Sequence, residues 1–435
     1  MRIEPFELLG EFWLPESPTV KVHGYVRVGN GGRVTLDLFG LLIPSQGQNA
    51  FQRRYERVVG NVMGHDCVTL ENCVFEGGQR DWFGTLAKAS YHAHVLFVGV
   101  IFESKEVPLF HSLSCRIEGL DEWIAISGIK NHFDPQTEIS TISYSRPPKV
   151  MLWEGDGLSV TIQFGAKLPG IPAVTSATIT QRAHLVISSD RQRPLADFLP
   201  VVGKIRNLLC VAVDENVTPY EMEAKFSIGE PQAGDEVELH KSRVIFQSIR
   251  FQETAPKIEG HRILFGYDLI APSSQATMQA WMDLAETIGP SMNLFLSARA
   301  GEFSYLNFRF LSMAQAVETF HNRTCPEQGD WVKLKERLAQ LFSAFAKHFS
   351  DDATREALID KIVITRDYFT HYNPDKEDAA ADGEDLWTIY CKLEVLLQLH
   401  LLRKLGFTDL VVDAVVAENS DIQEKLHRRI CLFTS

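Results

Sequence analysis

The sequence predicts an α+β protein, in which a β-rich N-terminal region of sandwich or barrel type, with a few helices, precedes an all-α helical bundle. Two observations support this prediction. Before residue 300, short runs of alternating apolar and polar residues are separated by glycine, asparagine and aspartate, which is typical of strands joined by turns. After residue 303, apolar residues recur at helical spacing. We expect a β-rich part at 1–148, a mixed part at 149–300 and a helical bundle at 301–435.

The first part opens with a predicted β-hairpin. Residues 20–28 and 33–39 alternate between apolar and polar side chains, and the Asn-Gly-Gly sequence at 30–32 forms the turn between them. Further strands are predicted at residues 67–75, 82–98 and 115–126. Two prolines at 147–148 then interrupt the pattern and mark an internal boundary.

The second part mixes strands with helices. Enrichment in threonine, valine and isoleucine predicts strands at residues 158–164, 177–187, 244–251 and 263–269. Apolar residues at helical spacing predict helices at 194–213 and 276–288, with Pro200 as a candidate kink in the first. A last strand is predicted at 303–310.

The helical part is predicted to contain five helices. The first begins at Ser312, because Ser312 and Gln315 match the capping-box pattern. The second follows Asp330, a favourable N-cap residue, and runs to about Phe349. Such residues mark helix starts because their side-chain oxygens accept hydrogen bonds from backbone amides that have no partner in the first turn.

The third predicted helix starts after Asp351 and Asp352 and carries Arg366. It ends by Asn373, because Pro374 disfavours the helical conformation in the residue before it. Residues 375–385 are acidic and rich in alanine, so their composition predicts a mobile loop.

The fourth predicted helix, at 386–405, is apolar around much of its surface and ends at Gly406. A last helix follows Ser420, where Ser420 and Gln423 repeat the capping-box pattern. A helix that is apolar on nearly every side is buried on several sides. We therefore expect a compact bundle and a contact between subunits.

Composition limits the classes of function. The 435-residue chain has a net charge of −13, which argues against a general nucleic-acid coat protein but allows an enzyme with a local basic cleft. We expect no secretory signal and no membrane span, because no long apolar run free of charge occurs. Seven scattered cysteines without a Cys-x-x-Cys pair favour reduced thiols. These features predict a cytoplasmic protein.

The segment at 362–373 carries the clearest chemistry. Arg366 lies among apolar residues of the third predicted helix, and His371 follows five positions later, where that helix ends. A histidine can exchange a proton with a ribose hydroxyl, and the planar guanidinium group of arginine can stabilise charge on a phosphate. The pair therefore suits cleavage of RNA without a metal ion. The alternative is structural: Arg366 pairs with Glu318 or another carboxylate, and His371 caps the helix.

The run from Thr365 to Tyr372 resembles the R-x-x-x-x-H motif of HEPN ribonucleases, and it is most similar to the Apea-like HEPN group. In that group a β-rich N-terminal region precedes the helical domain. The resemblance implies anti-phage defence by cleavage of RNA such as tRNA, with arrest of the infection as the outcome. It also implies a homodimer, or a higher oligomer, in which two motifs meet in one cleft, and an N-terminal region that senses a phage-derived trigger.

The resemblance also assigns site residues. Arg366 and His371 match the cleaving pair, and Asp367 and Thr370 lie inside the motif as supporting residues. Glu318, on the first predicted helix of the bundle, is a supporting residue that orients the arginine. Asp367 matches a position that many members fill with asparagine, aspartate or histidine, and as an aspartate it adds a negative charge beside the phosphate. The resemblance implies neither a metal nor another cofactor.

Other interpretations remain open. His65, Cys67, Cys73, His92 and His94 match no strong zinc spacing, and no phosphate-binding P-loop sequence occurs. A catalytically silent HEPN bundle that serves as a dimerisation or binding module is the main alternative to the nuclease. A carbohydrate- or peptide-binding β-protein with a helical tail is a third, because tryptophans occur along several strands.

Overall fold

The computed structural model describes residues 1–43, 53–80, 87–103, 107–170, 175–227, 238–248, 251–300, 305–325 and 332–430. The chain divides into two compact units, which we call the β unit and the helical unit. The β unit contains Met1–Asp121, Ile126–Arg206 and Val217–Ala255. The helical unit contains Glu122–Ala125, Asn207–Asn216 and Pro256–Ser435.

The β unit is built on a 12-stranded antiparallel sheet and a separate two-stranded ribbon. The strands are β1 (Phe6–Leu14), β2 (Ser17–Val28), β3 (Val34–Leu38), β4 (Arg54–Val62), β5 (His65–Arg80), β6 (Ala87–Val98), β7 (Leu109–Ile117), β8 (Ile129–Asp134), β9 (Ile139–Tyr144), β10 (Val150–Gly155), β11 (Leu158–Lys167), β12 (Thr180–Pro194), β13 (Pro219–Ser227) and β14 (Leu239–Phe246). Strands β8 and β9 form the ribbon.

Six strands of the large sheet close into a barrel. Their order is β6-β3-β2-β1-β4-β5, and β5 pairs back onto β6. Barrel closure gives each of these strands a neighbour on both sides, which reduces the number of unpaired backbone groups at sheet edges. The remaining strands continue from β6 in the order β14-β13-β7-β12-β11-β10. The α+β class is therefore confirmed, with a barrel in its β-rich part.

The predicted hairpin is confirmed. Strands β2 and β3 pair antiparallel from Gly24↔Leu38 to Val28↔Val34. Gly31 and Gly32 have φ values of +93° and +83° in the connecting turn, a conformation that suits glycine because it lacks a Cβ atom. Alternate side chains of β2 are buried, as the sequence alternation predicts.

Most of the other strands predicted before residue 252 are confirmed with shifted ends, but two of them differ more. The strand predicted at 115–126 stops at Ile117, and helix α1 (Leu120–Ile124) follows. The strand predicted at 244–251 lies earlier, as β14, and ends at Phe246. Part of the strand predicted at 82–98 falls on 81–86, which lie outside the described residues.

The helices other than α1 are α2 (Leu195–Ala212), α3 (Tyr267–Ile270), α4 (Ser274–Arg299), α5 (Leu306–Thr324), α6 (Leu334–Ser343), α7 (Asp352–His371), α8 (Gly383–Lys404), α9 (Asp409–Glu418) and α10 (Ser420–His427). Short 3-10 turns occur at Gly260–Arg262, Ala271–Ser273, Ala346–His348 and Pro374–Lys376. None of the helices in the described ranges has an apolar stretch long enough to cross a bilayer.

Helix α8 forms the centre of the helical unit. Every residue from 388 to 399 is buried, and α8 contacts α4, α5, α6, α9 and α10. This confirms the prediction from its apolar surface. The helix ends in a Schellman motif, in which the amides of Gly406 and Phe407 donate to the carbonyls of Arg403 and Leu402.

Two strands predicted before the bundle are wrong. Residues 263–269 contain an irregular segment and the start of α3 instead of a strand. The predicted strand at 303–310 is replaced from Leu306 onwards by α5, so Ser312 and Gln315 lie inside a helix and do not cap it. The apolar runs in the two mispredicted segments are short, and the spacing of apolar residues alone does not distinguish a short strand from a buried helical turn.

Three other details of the bundle differ from the prediction. Helix α6 ends at Ser343, before Phe349, and the predicted cap Asp330 lies outside the described residues. Helix α9 was not predicted. Asn419, one residue before Ser420, caps α10 by accepting hydrogen bonds from the amides of Asp421 and Ile422. The three-part division at residues 148 and 300 remains a prediction, although the large sheet takes strands from both sides of residue 148.

Candidate functional site

Helix α7 positions the Arg366 and His371 side chains. It starts as predicted, because the Asp351 carboxylate accepts a hydrogen bond of 2.9 Å from the Thr354 amide. This backbone hydrogen bond also holds the pKa of Asp351 below its usual value. The residues of α7 that are buried lie on one face of the helix: Leu358, Ile359, Ile362 and Thr365. Arg366, one turn after Ile362, therefore lies at the border of the buried face.

The Arg366 side chain contacts the predicted partner Glu318. One guanidinium nitrogen, Nη2, lies 3.5 Å from Glu318 Oε2 on α5. The Arg366 side chain is 37% exposed, so its remaining donors are open to a ligand. A second, buried arginine also reaches this carboxylate, with Arg337 Nη1 3.5 Å from Glu318 Oε1. Glu318 thus links α5 to both α6 and α7 through these two contacts.

His371 is the last residue of α7, and its side chain is 63% exposed. Its Nε2 atom lies 3.8 Å from Asp367 Oδ1, one turn earlier. Lys376 binds the other oxygen of Asp367. That hydrogen bond is the main reason why the pKa of Asp367 lies below its usual value, and the charges of Lys376, His371 and Arg366 lower it further. The Asp367 carboxylate is consequently negative at neutral pH.

Thr370 has a local role. Its hydroxyl donates a hydrogen bond of 2.7 Å to the Arg366 carbonyl, so it is committed to the helix backbone. The following acidic segment is also bound to α7, because the buried Ala381 amide donates to Thr365 Oγ1 over 2.8 Å. The prediction of a mobile loop at 375–385 did not foresee these contacts.

The structure adds residues that the sequence reasoning missed. Lys376 lies in an acidic run, where one lysine is not conspicuous, and Arg337 is separated from Glu318 by 19 positions. Two exposed aromatic side chains, Tyr305 and Tyr372, also lie near this end of α7. Helical spacing on α6 could have indicated Arg337, since it shares a face with the buried Leu338 and Leu341.

Together these residues can act on a phosphodiester. Arg366 and Lys376 supply positive charge, and the exposed imidazole of His371 can exchange a proton. Glu318 and Asp367 hold the cations in place, but they also add negative charge that opposes binding of an anion. The arrangement therefore suits weak general binding of nucleic acid combined with local acid–base chemistry.

A second charged cluster is buried in the helical unit. Arg299 lies 2.5 Å from Asp214 Oδ1 and 2.8 Å from Glu394 Oε1, and Lys425 lies 3.1 Å from Glu394 Oε2. Burial alone would lower the pKa of Arg299, but the charges of Asp214 and Glu394 outweigh it and raise that pKa. Because positive and negative charges alternate, the cluster fits an ion network that joins α4, α8 and α10.

The zinc alternative gains no support from the described residues. His92 and His94 lie on one strand face, with ring centroids 5.7 Å apart, and His92 Nδ1 lies 3.0 Å from the Val34 carbonyl oxygen. Burial raises the pKa of Cys73, which disfavours the thiolate that zinc needs. Within the described ranges, no three histidine, cysteine or carboxylate side chains are grouped closely enough for a metal ion.

Comparison with known families extends the resemblance to most of the chain. A family model described as ApeA N-terminal domain 1 matches residues 7–281, and one described as Apea-like HEPN matches residues 311–410. The second match includes Glu318, Arg366 and His371. Searches among curated proteins and among solved structures gave no match. HEPN domains are generally nuclease domains that act on RNA and dimerise. The chain therefore belongs to the ApeA-type HEPN family of anti-phage nucleases.

Proposed function

We propose that this chain is a metal-independent endoribonuclease of anti-phage defence, which cuts RNA, with tRNA as the first target to test. One observation carries the proposal. Arg366 and His371 both reach solvent at the end of α7, while Glu318 holds the arginine from α5. The two side chains therefore offer a cation and a proton-exchanging group to solvent from the same part of α7.

In the proposed reaction, a base removes the proton from a ribose 2′-hydroxyl, and the 2′-oxygen attacks the adjacent phosphorus. The bond from phosphorus to the 5′-oxygen breaks, and an acid gives that oxygen a proton. The products are a 2′,3′-cyclic phosphate and a 5′-hydroxyl. His371 exchanges the protons, and Arg366 stabilises the charge that develops on the phosphate. DNA lacks the 2′-hydroxyl and is not cut.

The chemistry favours a homodimer. The attacking and leaving oxygens lie on opposite sides of the phosphorus, so one imidazole cannot serve both at once. Two copies of α7 facing each other would place one His371 on each side of the phosphate. This is the composite cleft that we propose, and assembly into a higher oligomer is compatible with it.

We propose that the β unit, together with the rest of the N-terminal region, regulates the nuclease in the cytoplasm. The family match at residues 7–281 and the separate compactness of the β unit support an independent role. A phage-derived component would be the trigger. Such control would prevent cleavage of the RNA of an uninfected cell.

The alternative is a catalytically silent HEPN module that binds partners or dimerises. The contacts of Arg366 with Glu318 and of His371 with Asp367 favour it, because charged groups that are already paired bind a phosphate less strongly. The nuclease accounts better for the exposure of both side chains.

The deciding experiment incubates purified protein with total tRNA in EDTA, beside His371→Ala and Arg366→Ala. We expect each variant to lose at least ~100-fold in cleavage rate while its circular dichroism and melting temperature stay near the wild type. His427→Ala is a matched control, since His427 is also an exposed histidine at the end of a helix. Cleavage by the folded double variant would overturn the mechanism. A wild type that cuts no RNA even with extract from infected cells would favour the silent module.

A further inference from the structure

Three exposed aromatic side chains occur at the end of α7 and the start of α5, and we call them the aromatic surface. Tyr372 follows His371 directly and is 55% exposed, and Tyr305 and Phe308 flank the start of α5 and are 69% and 47% exposed. The rings of Tyr305 and Phe308 have centroids 6.3 Å apart, at an interplanar angle of 69°. Asn307, between them in sequence, donates a hydrogen bond of 3.4 Å to the Tyr372 hydroxyl oxygen. This bond joins the start of α5 to the end of α7.

Tyr372 occupies an unusual backbone position. It follows His371 directly and has φ 50° and ψ 41°, the left-handed conformation in which helices usually place glycine. A side chain disfavours this conformation, so the position would be more stable with glycine. The chain nevertheless carries a large ring there, next to the proposed proton-transfer group.

Neighbouring rings hold Tyr372 in place. Its ring centroid lies 5.5 Å from that of Tyr368 and 6.2 Å from that of Phe369. Phe369 in turn contacts the buried Phe310 of α5, at 6.4 Å. The exposed ring therefore rests on a packed aromatic base, which limits its motion and leaves one side open to solvent.

An exposed aromatic ring beside cations is the combination that binds unpaired nucleotides. Bases stack on the ring, and cations meet the phosphates. Here Arg366 and Lys376 lie on the same end of α7 and the turn that follows it. We propose that Tyr372, assisted by Tyr305 and Phe308, stacks an unpaired base next to the scissile phosphate. Tyr372 then acts as a specificity-determining residue, which selects an unpaired nucleotide beside the cut.

This inference rests on the proposed function and adds a base-binding residue to it. Bases inside a duplex are stacked on each other and cannot offer a face to Tyr372. A contact with a second protein copy is the competing use of an aromatic surface. The position directly after His371, with cations alongside, favours a nucleic acid.

Binding to a short labelled single-stranded DNA tests the aromatic surface without cleavage, because DNA lacks the 2′-hydroxyl. We expect the single strand to bind about tenfold more tightly than the same sequence as a duplex. Tyr372→Gly should weaken this binding about tenfold, while its melting temperature stays equal or rises, because glycine suits the left-handed position. Tyr372→Phe should retain most of the affinity. Leu410→Ala, at an exposed apolar residue of α9, is the control and should bind as the wild type does.

Three results would overturn the inference: equal binding by wild type and Tyr372→Gly, a preference for duplex, or dissociation of an oligomer in Tyr372→Gly by light scattering. The last would assign the surface to a contact between chains.

The proposed function can fail independently of this inference. If the wild type binds single strands through Tyr372 but cuts no RNA, the base-binding surface stands and the nuclease does not. If the wild type cuts RNA and Tyr372→Gly does so with an unchanged KM, the nuclease stands and the base-binding surface does not.

Discussion

At the scale of single residues, the Glu318 carboxylate is shared by two guanidinium groups. Arg337 is almost fully buried and is also bound to the Asn322 side chain and the Val332 carbonyl, so it is fixed on the protein side. Arg366 is the more exposed of the two arginines. One carboxylate therefore serves a structural cation and orients the cation that we assign to the phosphate.

Replacement of Glu318 by glutamine tests this orienting role. Glutamine keeps the shape but weakens the hold on Arg366, so we expect kcat for RNA to fall about tenfold while KM changes less than about threefold. Single-turnover and steady-state kinetics on one RNA measure the two constants. Glu336→Gln, at an exposed position of α6, is the control. A change in KM alone would show that Glu318 affects binding and does not orient Arg366.

At the scale of elements, the ends of α7 and α8 both have a residue in the left-handed conformation, but the type of residue differs. Helix α8 ends with Gly406 at φ +91°, the glycine that such an end favours. Helix α7 ends with Tyr372 at φ 50°. The α8 end is optimised for stability, and we attribute the departure at α7 to its function.

Gly406→Ala should therefore destabilise the helical unit by about 1 kcal/mol, although no neighbouring atom would touch the added methyl group within 4 Å. The matched substitution Gly203→Ala, inside α2, also meets nothing within 4 Å and should stabilise by about 0.5–1 kcal/mol. Because both sites have room for the methyl group, the backbone conformation should decide the sign of each effect. Melting temperatures that move in the same direction for both variants would contradict this account.

Helix α8 also contributes a pH-dependent contact. His400 Nε2 lies 3.0 Å from the Leu341 carbonyl, and its ring packs against Phe320 and Phe345. Burial lowers the pKa of His400 from 6.5 to about 4. The pKa of His400 is lower in the folded state than in the unfolded state, so the neutral imidazole stabilises the fold. This contribution to the free energy of unfolding is present above pH 6.5 and is lost as the pH falls toward 4.

We expect the free energy of unfolding to fall by about 2 kcal/mol more between about pH 7 and pH 5 in the wild type than in His400→Gln. Glutamine can still donate to the Leu341 carbonyl but does not titrate. Urea unfolding of both proteins at the two pH values measures this change in the free energy of unfolding. The other titrating groups are the same in both proteins, so their contributions cancel when the two changes are subtracted. Parallel pH profiles for the two proteins would show that His400 takes up a proton as easily in the folded state as in the unfolded state.

At the scale of the whole molecule, net charge and assembly work against each other. A charge of −13 repels RNA at long range and also repels a second copy of the chain. A dimer must therefore rest on short-range contacts. Cleavage at a composite cleft would then depend on protein concentration.

We expect active protein to have twice the 49.1 kDa mass of one chain, and its specific activity to fall on dilution below the dimer dissociation constant. Light scattering and cleavage rates over the same concentration series should change together. A monomer with constant specific activity would exclude the composite cleft and leave each chain with one complete site.

The sequence by itself determined the broad organisation, and it indicated the residues to which we assign the proposed site. Helix α8 was recognisable because an apolar surface on every side has no stable place outside a core, and the start and end of α7 followed from Asp351 and Pro374. The contact between Arg366 and Glu318 was also expected from the sequence, through the motif and its family. Catalytic roles remain proposals at this level, because spacing alone does not distinguish a catalytic arginine from a structural one.

Only the tertiary structure decided which segments close the barrel, that residues from Leu306 onwards are helical, and that Arg337 and Lys376 join the site. These features depend on contacts between residues far apart in sequence or on packing that overrides short-range propensity. The exposed side of Tyr372 is likewise a feature that only the tertiary structure decided. Its ring follows the histidine in the sequence, but its left-handed backbone and its aromatic base are properties of the folded chain.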